Sequence, residues 1–66
     1  MIKKKIGDII KSRRKFLCIT QEDLAAIVGI SLRGFVDIEN GKGNPTIDQL
    51  EKILNALGLS IEIKGK

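Results

Sequence analysis

The 66-residue sequence has no histidine, tryptophan or tyrosine, and a single cysteine and a single proline. Without histidine there is no Ser/His or Cys/His pair for nucleophilic catalysis, and no clustered carboxylates or metal-ligand spacings replace it. The glycines of "NGKGNP" follow no strand, so they do not form a phosphate loop. No enzymatic activity, metal or cofactor is expected. One cysteine excludes an internal disulfide and suits a reducing, cytoplasmic compartment. Cys18 reads either as a redox-sensing thiol or as a small apolar side chain at a helix end, with no histidine to activate it. The only aromatic residues are Phe16 and Phe35. Proteins that grip single strands or RNA loops need exposed aromatic stacking surfaces, so duplex DNA is the expected choice if the ligand is a nucleic acid. Long apolar runs are also missing. "IGDII" is interrupted by Gly7 and Asp8 and leads into "KSRRK". Neither a signal peptide nor a membrane span is expected, and no membrane partner.

What is present is positive charge, unevenly placed. The formal net charge is +4. Lys3, Lys4, Lys5, Lys11, Arg13, Arg14 and Lys15 crowd the first seventeen residues against Asp8 alone. A basic cluster of this kind attracts polyanions, nucleic acid foremost, although a solvated helix face looks the same in composition. The length predicts one domain over residues 1–66. A chain of this size buries only about 60% of its unfolded surface, so association with a partner would help it.

The apolar residues fall with helical period over most of the chain. Ile2, Ile6, Ile9, Ile10, Phe16 and Leu17 predict an amphipathic first helix, weakened locally by Gly7. Thr20 is an N-cap for a second helix, with Asp23 in its first turn and Gly29 at its end. Only Ile30 separates Gly29 from the next cap, Ser31, so two short helices must cross steeply at this corner. The third helix runs from about Leu32 to Asn40 and stops at Gly41. Thr46 and Gln49 form a capping box for a fourth, in which Ile47, Leu50, Ile53, Leu54 and Leu57 line one face. The tail then changes period. Leu59, Ile61 and Ile63 alternate with polar residues, which predicts a short strand over about 59–64. A lone strand needs a partner, and the same strand of a second copy would supply one across a homodimer. The other reading is a frayed extended tail.

The third helix carries two faces. Phe35 and Ile38 look inward, while Arg33, Val36, Asp37 and Asn40 form an outward stripe at i, i+3, i+4 and i+7. Helix, one-residue corner and helix over about residues 20–41, preceded by a basic helix, is the helix-turn-helix pattern.

The segment "TQEDLAAIVGISLRGFVDIENGKGNPT", followed by "LNALGL", resembles the lambda-repressor-like, Xre-type regulators. The matching marks are Thr20-Gln21, Leu24-Ala25, Gly29, Ser31, apolar residues at 35 and 38, and Glu39-Asn40-Gly41. The resemblance spans about residues 5–59. It implies an all-α, four-helix DNA-binding domain with a helix-turn-helix, here extended by the C-terminal β-strand that pairs across a dimer. The expected function is sequence-specific binding of double-stranded DNA by a dimeric repressor reading an inverted repeat. The short chain and its C-terminal strand are similar to the small HipB-type antitoxins. An alternative is therefore an antitoxin or adaptor acting on a partner such as a cognate HipA-type kinase toxin.

The resemblance places the second helix of the pair in the major groove, where each base pair shows a distinct pattern. Arg33 can then donate two hydrogen bonds to guanine, unless it only reaches phosphate. Leu32 and Val36 can touch thymine methyls, with Leu32 alternatively at the core edge. Asp37 can accept from cytosine N4 or hold Arg33. Gln21 is implied as a phosphate contact at a helix N-terminus, with Ser31 in the same position one helix later. Asn40 and Lys42, with Asn44 beside them, fall where the family's loop follows the sugar-phosphate backbone, and Arg13 and Lys15 are further phosphate candidates. Arg14 and Glu39 match an ion pair of the family and are read as structural. Gly34 departs from the serine or threonine of many relatives.

Overall fold

The computed structural model describes residues 2–62 and Gly65, and they contain four helices: α1 Ile2–Phe16, α2 Gln21–Val28, α3 Leu32–Glu39 and α4 Ile47–Ala56. α3 packs against α1 and α2, and α4 packs against α2. The helices meet on Ile10, Leu24, Phe35, Ile53 and Leu57, all at 0% exposure. Ile47 stands apart from the stripe its spacing suggested. It opens α4 at the surface, 67% exposed. No helix of the described residues is long and apolar enough to cross a membrane.

Local chemistry sets the helix ends. Thr20, Ser31 and Thr46 each take extended backbone angles and accept a hydrogen bond from the backbone N–H three residues on, at 3.0 Å in every case. Gln49 completes the box at Thr46 by accepting from its backbone N–H at 3.1 Å. Gly29 adopts φ 78°, which lets its N–H and that of Ile30 turn back onto Ala25 and Ala26 and close α2. A side chain would oppose that left-handed turn. The chain then has one residue, Ile30, in which to turn, and Ile30 packs against the core.

α1 closes by the same turn without glycine. Cys18 sits at φ 58°, with its N–H on the Lys15 carbonyl and the Ile19 N–H on that of Arg14, both at 3.0 Å. The thiol is exposed, and what Cys18 contributes here is a strained backbone rather than an apolar contact. A left-handed conformation costs an L-residue about 1–2 kcal/mol. Cys18→Gly is therefore expected to raise stability by about 1 kcal/mol, or about 4–8 °C in Tm for a domain of this size. Thermal unfolding checks this, and an unchanged Tm would mean that the turn holds no strain.

Gly7 has a reason its sequence context hides. It is buried in α1 against the end of α3. A Cβ there would lie 2.8 Å from the Ile38 carbonyl oxygen and would collide with that of Glu39. Gly41 mirrors it from the other side, its Cβ position only 3.0 Å from Lys4 Cα. The two helices thus touch backbone to backbone. Gly7→Ala gains helix propensity of up to about 1 kcal/mol, but overpacking costs about 1–3 kcal/mol. The expected outcome is a net loss of up to about 2 kcal/mol by denaturant unfolding. A stabilised variant would show that α1 can move away freely.

The expected C-terminal strand is not found among the described residues. Among the described residues none is in a β-strand, and 59–62 follow α4 without regular structure. The reason lies at Leu59. Its N–H bonds back to the Leu54 carbonyl at 2.8 Å, and Gly58 N–H bonds to that of Asn55 at 3.1 Å. Leu59 packs against the core. It closes α4 instead of starting a strand, which leaves Ile61 with too little alternation around it to define one. The assignment of Leu59, Ile61 and Ile63 to a dimerising strand is thereby overturned. Ile63 itself lies outside the described residues. The fold is a four-helix, all-α helix-turn-helix bundle.

Candidate nucleic-acid interface

The surface of interest is built outward from a buried ionic knot. Arg14 comes from α1 and Glu39 from the last turn of α3, at 8% and 2% exposure. Arg14 Nε donates to Glu39 Oε2 at 2.6 Å and Nη2 to Oε1 at 3.3 Å, a two-pronged geometry that suits a guanidinium and a carboxylate. Arg14 Nη1 donates to the Ile19 carbonyl at 2.8 Å. Gln21, first residue of α2, donates from Nε2 to Glu39 Oε1 at 3.0 Å. Three helices are fastened at one carboxylate. No buried side-chain nitrogen or oxygen among the described residues lacks a partner.

The knot fixes α3, and α3 presents its other face to solvent. Phe35 and Ile38 are buried, Leu32 and Arg33 are exposed, and Val36 and Asp37 are half-buried. The Arg33 side chain is 89% exposed, with Nε 3.6 Å from Asp37 Oδ1. A surface pair of this kind contributes about 0–1 kcal/mol, so Arg33 can leave it for a stronger partner at little cost.

Beside the stripe runs an open groove of about 400 Å³, bordered by Ser31, Gly34, Asp37, Lys42, Asn44 and Gln49. It brings together the start of α3, the loop after it and the first turn of α4. Ser31 Oγ already accepts from Gly34 N–H, which leaves the hydroxyl proton as a donor. A Cβ at Gly34 would touch only Ser31 Oγ, at 3.1 Å. Asn40 and Lys42 are exposed at and after the end of α3.

The phosphate candidates do not all gather here. Arg13 is half-buried at the α1–α4 corner, where Nε donates to the Leu57 carbonyl at 2.9 Å and the guanidinium lies 5.3 Å from the Phe16 ring centroid. It lines a different hollow, with Ile9, Phe16 and Leu59, that shares no residue with the groove along α3. Lys15 is exposed in the last turn of α1. Gln21 keeps its place at a helix N-terminus but has one amide hydrogen committed to Glu39. One residue of the region went unnoticed in the sequence. Lys3 Nζ reaches the loop after α3 and donates to the Gly43 carbonyl at 2.8 Å and to Asn44 Oδ1 at 2.6 Å. Its place in a run of three lysines gave no sign of this.

A one-residue corner between two capped helices, with the second helix offering a mixed polar stripe, defines a helix-turn-helix module. The helix-turn-helix family model matches residues 10–64. The chain is 38% identical over 58 residues to the uncharacterized HTH-type transcriptional regulator y4mF of Sinorhizobium fredii, covering 88% of this chain and 76% of that one. It is 40% identical over 58 residues to the cryptic phage CTXphi transcriptional repressor RstR of Vibrio cholerae, again 88% of this chain but 52% of RstR, about half its length. An uncharacterized HTH-type regulator of Methanocaldococcus jannaschii is 38% identical over 53 residues, 80% of each chain. The chain belongs to the lambda-repressor-like, Xre-type helix-turn-helix family. That is a class of DNA-binding transcriptional regulators and not of enzymes.

Proposed function

We propose that this chain is a sequence-specific transcriptional repressor that docks α3 in the major groove of duplex DNA as a homodimer on an inverted repeat. The observation that carries the reading is the exposed stripe of α3, with Arg33 at its head, held from behind by the Arg14–Glu39–Gln21 knot. Arg33 reads guanine through O6 and N7, Leu32 and Val36 meet thymine methyls, and Asp37 steadies Arg33 or accepts from cytosine N4. Gln21, Ser31, Asn40 and Lys42 supply phosphate contacts, which set register and affinity but carry no sequence information. Arg13 has a smaller part in this scheme than its charge suggests, because it already serves α4.

Repression would follow from occupying a promoter in the cytoplasm, and the name of RstR, a phage transcriptional repressor, supports that sign of regulation. For the dimer, support comes from a surface that shares no residue with the groove along α3. Ile9, Phe16, Ile47 and Ile61 are exposed there around two adjoining hollows that share Ile9 and Leu59. Asp8 and Arg13, of opposite charge, border one of them. The antitoxin alternative leaned on the C-terminal strand and loses that support.

Lys42→Ala tests the phosphate role. It should weaken binding to every duplex alike and lower the slope of log K against log salt by about one. A loss confined to particular sequences would contradict the assignment.

A further inference from the structure

Lys3 lies at the start of α1, outside the helix-turn-helix, yet its ammonium group is spent on the loop that follows α3. It donates to the Gly43 carbonyl at 2.8 Å and to Asn44 Oδ1 at 2.6 Å, two acceptors 40 and 41 residues away in the chain. The Lys3 and Lys42 stems border the same small apolar crevice with Ile6, Ile38 and Pro45, so the first turn of α1 and the foot of the loop form one unit. The second consequence is chemical. A carboxamide has one acceptor end and one donor end. With Lys3 holding the oxygen, the NH2 end of Asn44 is the end left for another partner, and Asn44 borders the groove together with Lys42 and Ser31.

We infer that Lys3 is a positioning residue that latches the loop and turns the Asn44 amide donor toward a phosphate oxygen of bound DNA. The inference rests on the DNA-binding reading above. It makes Asn44 a phosphate donor through its nitrogen, and it gives Lys3 a role distinct from the general attraction of a basic helix. A lysine that contacts phosphate releases a counterion when it binds, whereas a lysine already bonded to protein acceptors does not.

The test is a double-mutant cycle on the full chain with Lys3→Met, Asn44→Ala and the pair, titrated with a duplex selected by the unmodified protein at several salt concentrations. Each single variant is expected to weaken binding about two- to tenfold, the worth of one hydrogen bond. The salt slope should stay unchanged, and the double variant should bind no worse than the weaker single. Lys3→Arg should restore affinity. Additive losses, or a slope lowered by about one in Lys3→Met, would make Lys3 a direct phosphate contact and overturn the latch. An NMR measurement without DNA separates this from failure of the DNA-binding reading. The Asn44 side-chain amide should be ordered in the unmodified protein and mobile in Lys3→Met. If it is equally mobile in both, the latch does not exist, whatever the chain binds. If the unmodified protein binds no duplex while the amide is ordered, the DNA-binding reading is what fails.

Discussion

Glu39→Ala is expected to leave the chain largely unfolded near 37 °C. The carboxylate accepts from Arg14 twice and from Gln21 once, at 2% exposure. Its removal strands a guanidinium at 8% exposure and an amide beside it. Breaking a buried pair from one side costs about 3–5 kcal/mol, because the surviving charge is desolvated without compensation. A domain of this length has about 3–10 kcal/mol of stability in all. The loss is therefore of the same order as the whole. Arg14→Lys should also destabilise, since an ammonium cannot serve Glu39 with two prongs and reach the Ile19 carbonyl as well. Chemical denaturation of both variants measures this. A loss below about 1 kcal/mol for Glu39→Ala would mean that the knot contributes no more than a surface pair.

Arg33→Ala has a different signature: stability stays nearly constant and specificity falls. The side chain is 89% exposed and its one ionic neighbour is 3.6 Å away, so folding owes it little. A bidentate arginine–guanine pair is worth about 1–3 kcal/mol of discrimination, which is about 5- to 150-fold in relative affinity. That preference should vanish at one base pair in each half-site and persist at the others. Competition titrations against single-substituted duplexes read it directly. A uniform loss across all duplexes would reduce Arg33 to a phosphate contact.

The parts of this fold that could be read in advance are those governed by local rules. Thr20, Ser31, Thr46 and Gly29 mark their helix ends through hydrogen bonds that span three or four residues. The outward stripe of α3 follows from the helical period once Phe35 and Ile38 are buried. What stayed hidden depends on which distant segments meet. Gly7 reads as a flaw in a helix until the carbonyls of Ile38 and Glu39 come to rest against it. Arg13 reads as an uncommitted charge until Leu57, forty-four residues on, offers its carbonyl to the Nε–H. Gln21 and Lys3 likewise gain protein partners that no spacing rule connects. The tail failed in the opposite direction. Three alternating apolar residues imitate a strand, but the first of them was needed to close α4.

The central claim is that α3 reads sequence in duplex DNA, and selection of duplexes from a random pool by the purified protein tests it most directly. Titration of the enriched duplex at several salt concentrations completes the measurement. The expected outcome is an inverted repeat with half-sites about one helical turn apart, roughly 34–36 Å, and an affinity that falls steeply with salt. Weak binding with no enriched motif would contradict the claim and turn the search toward a protein partner.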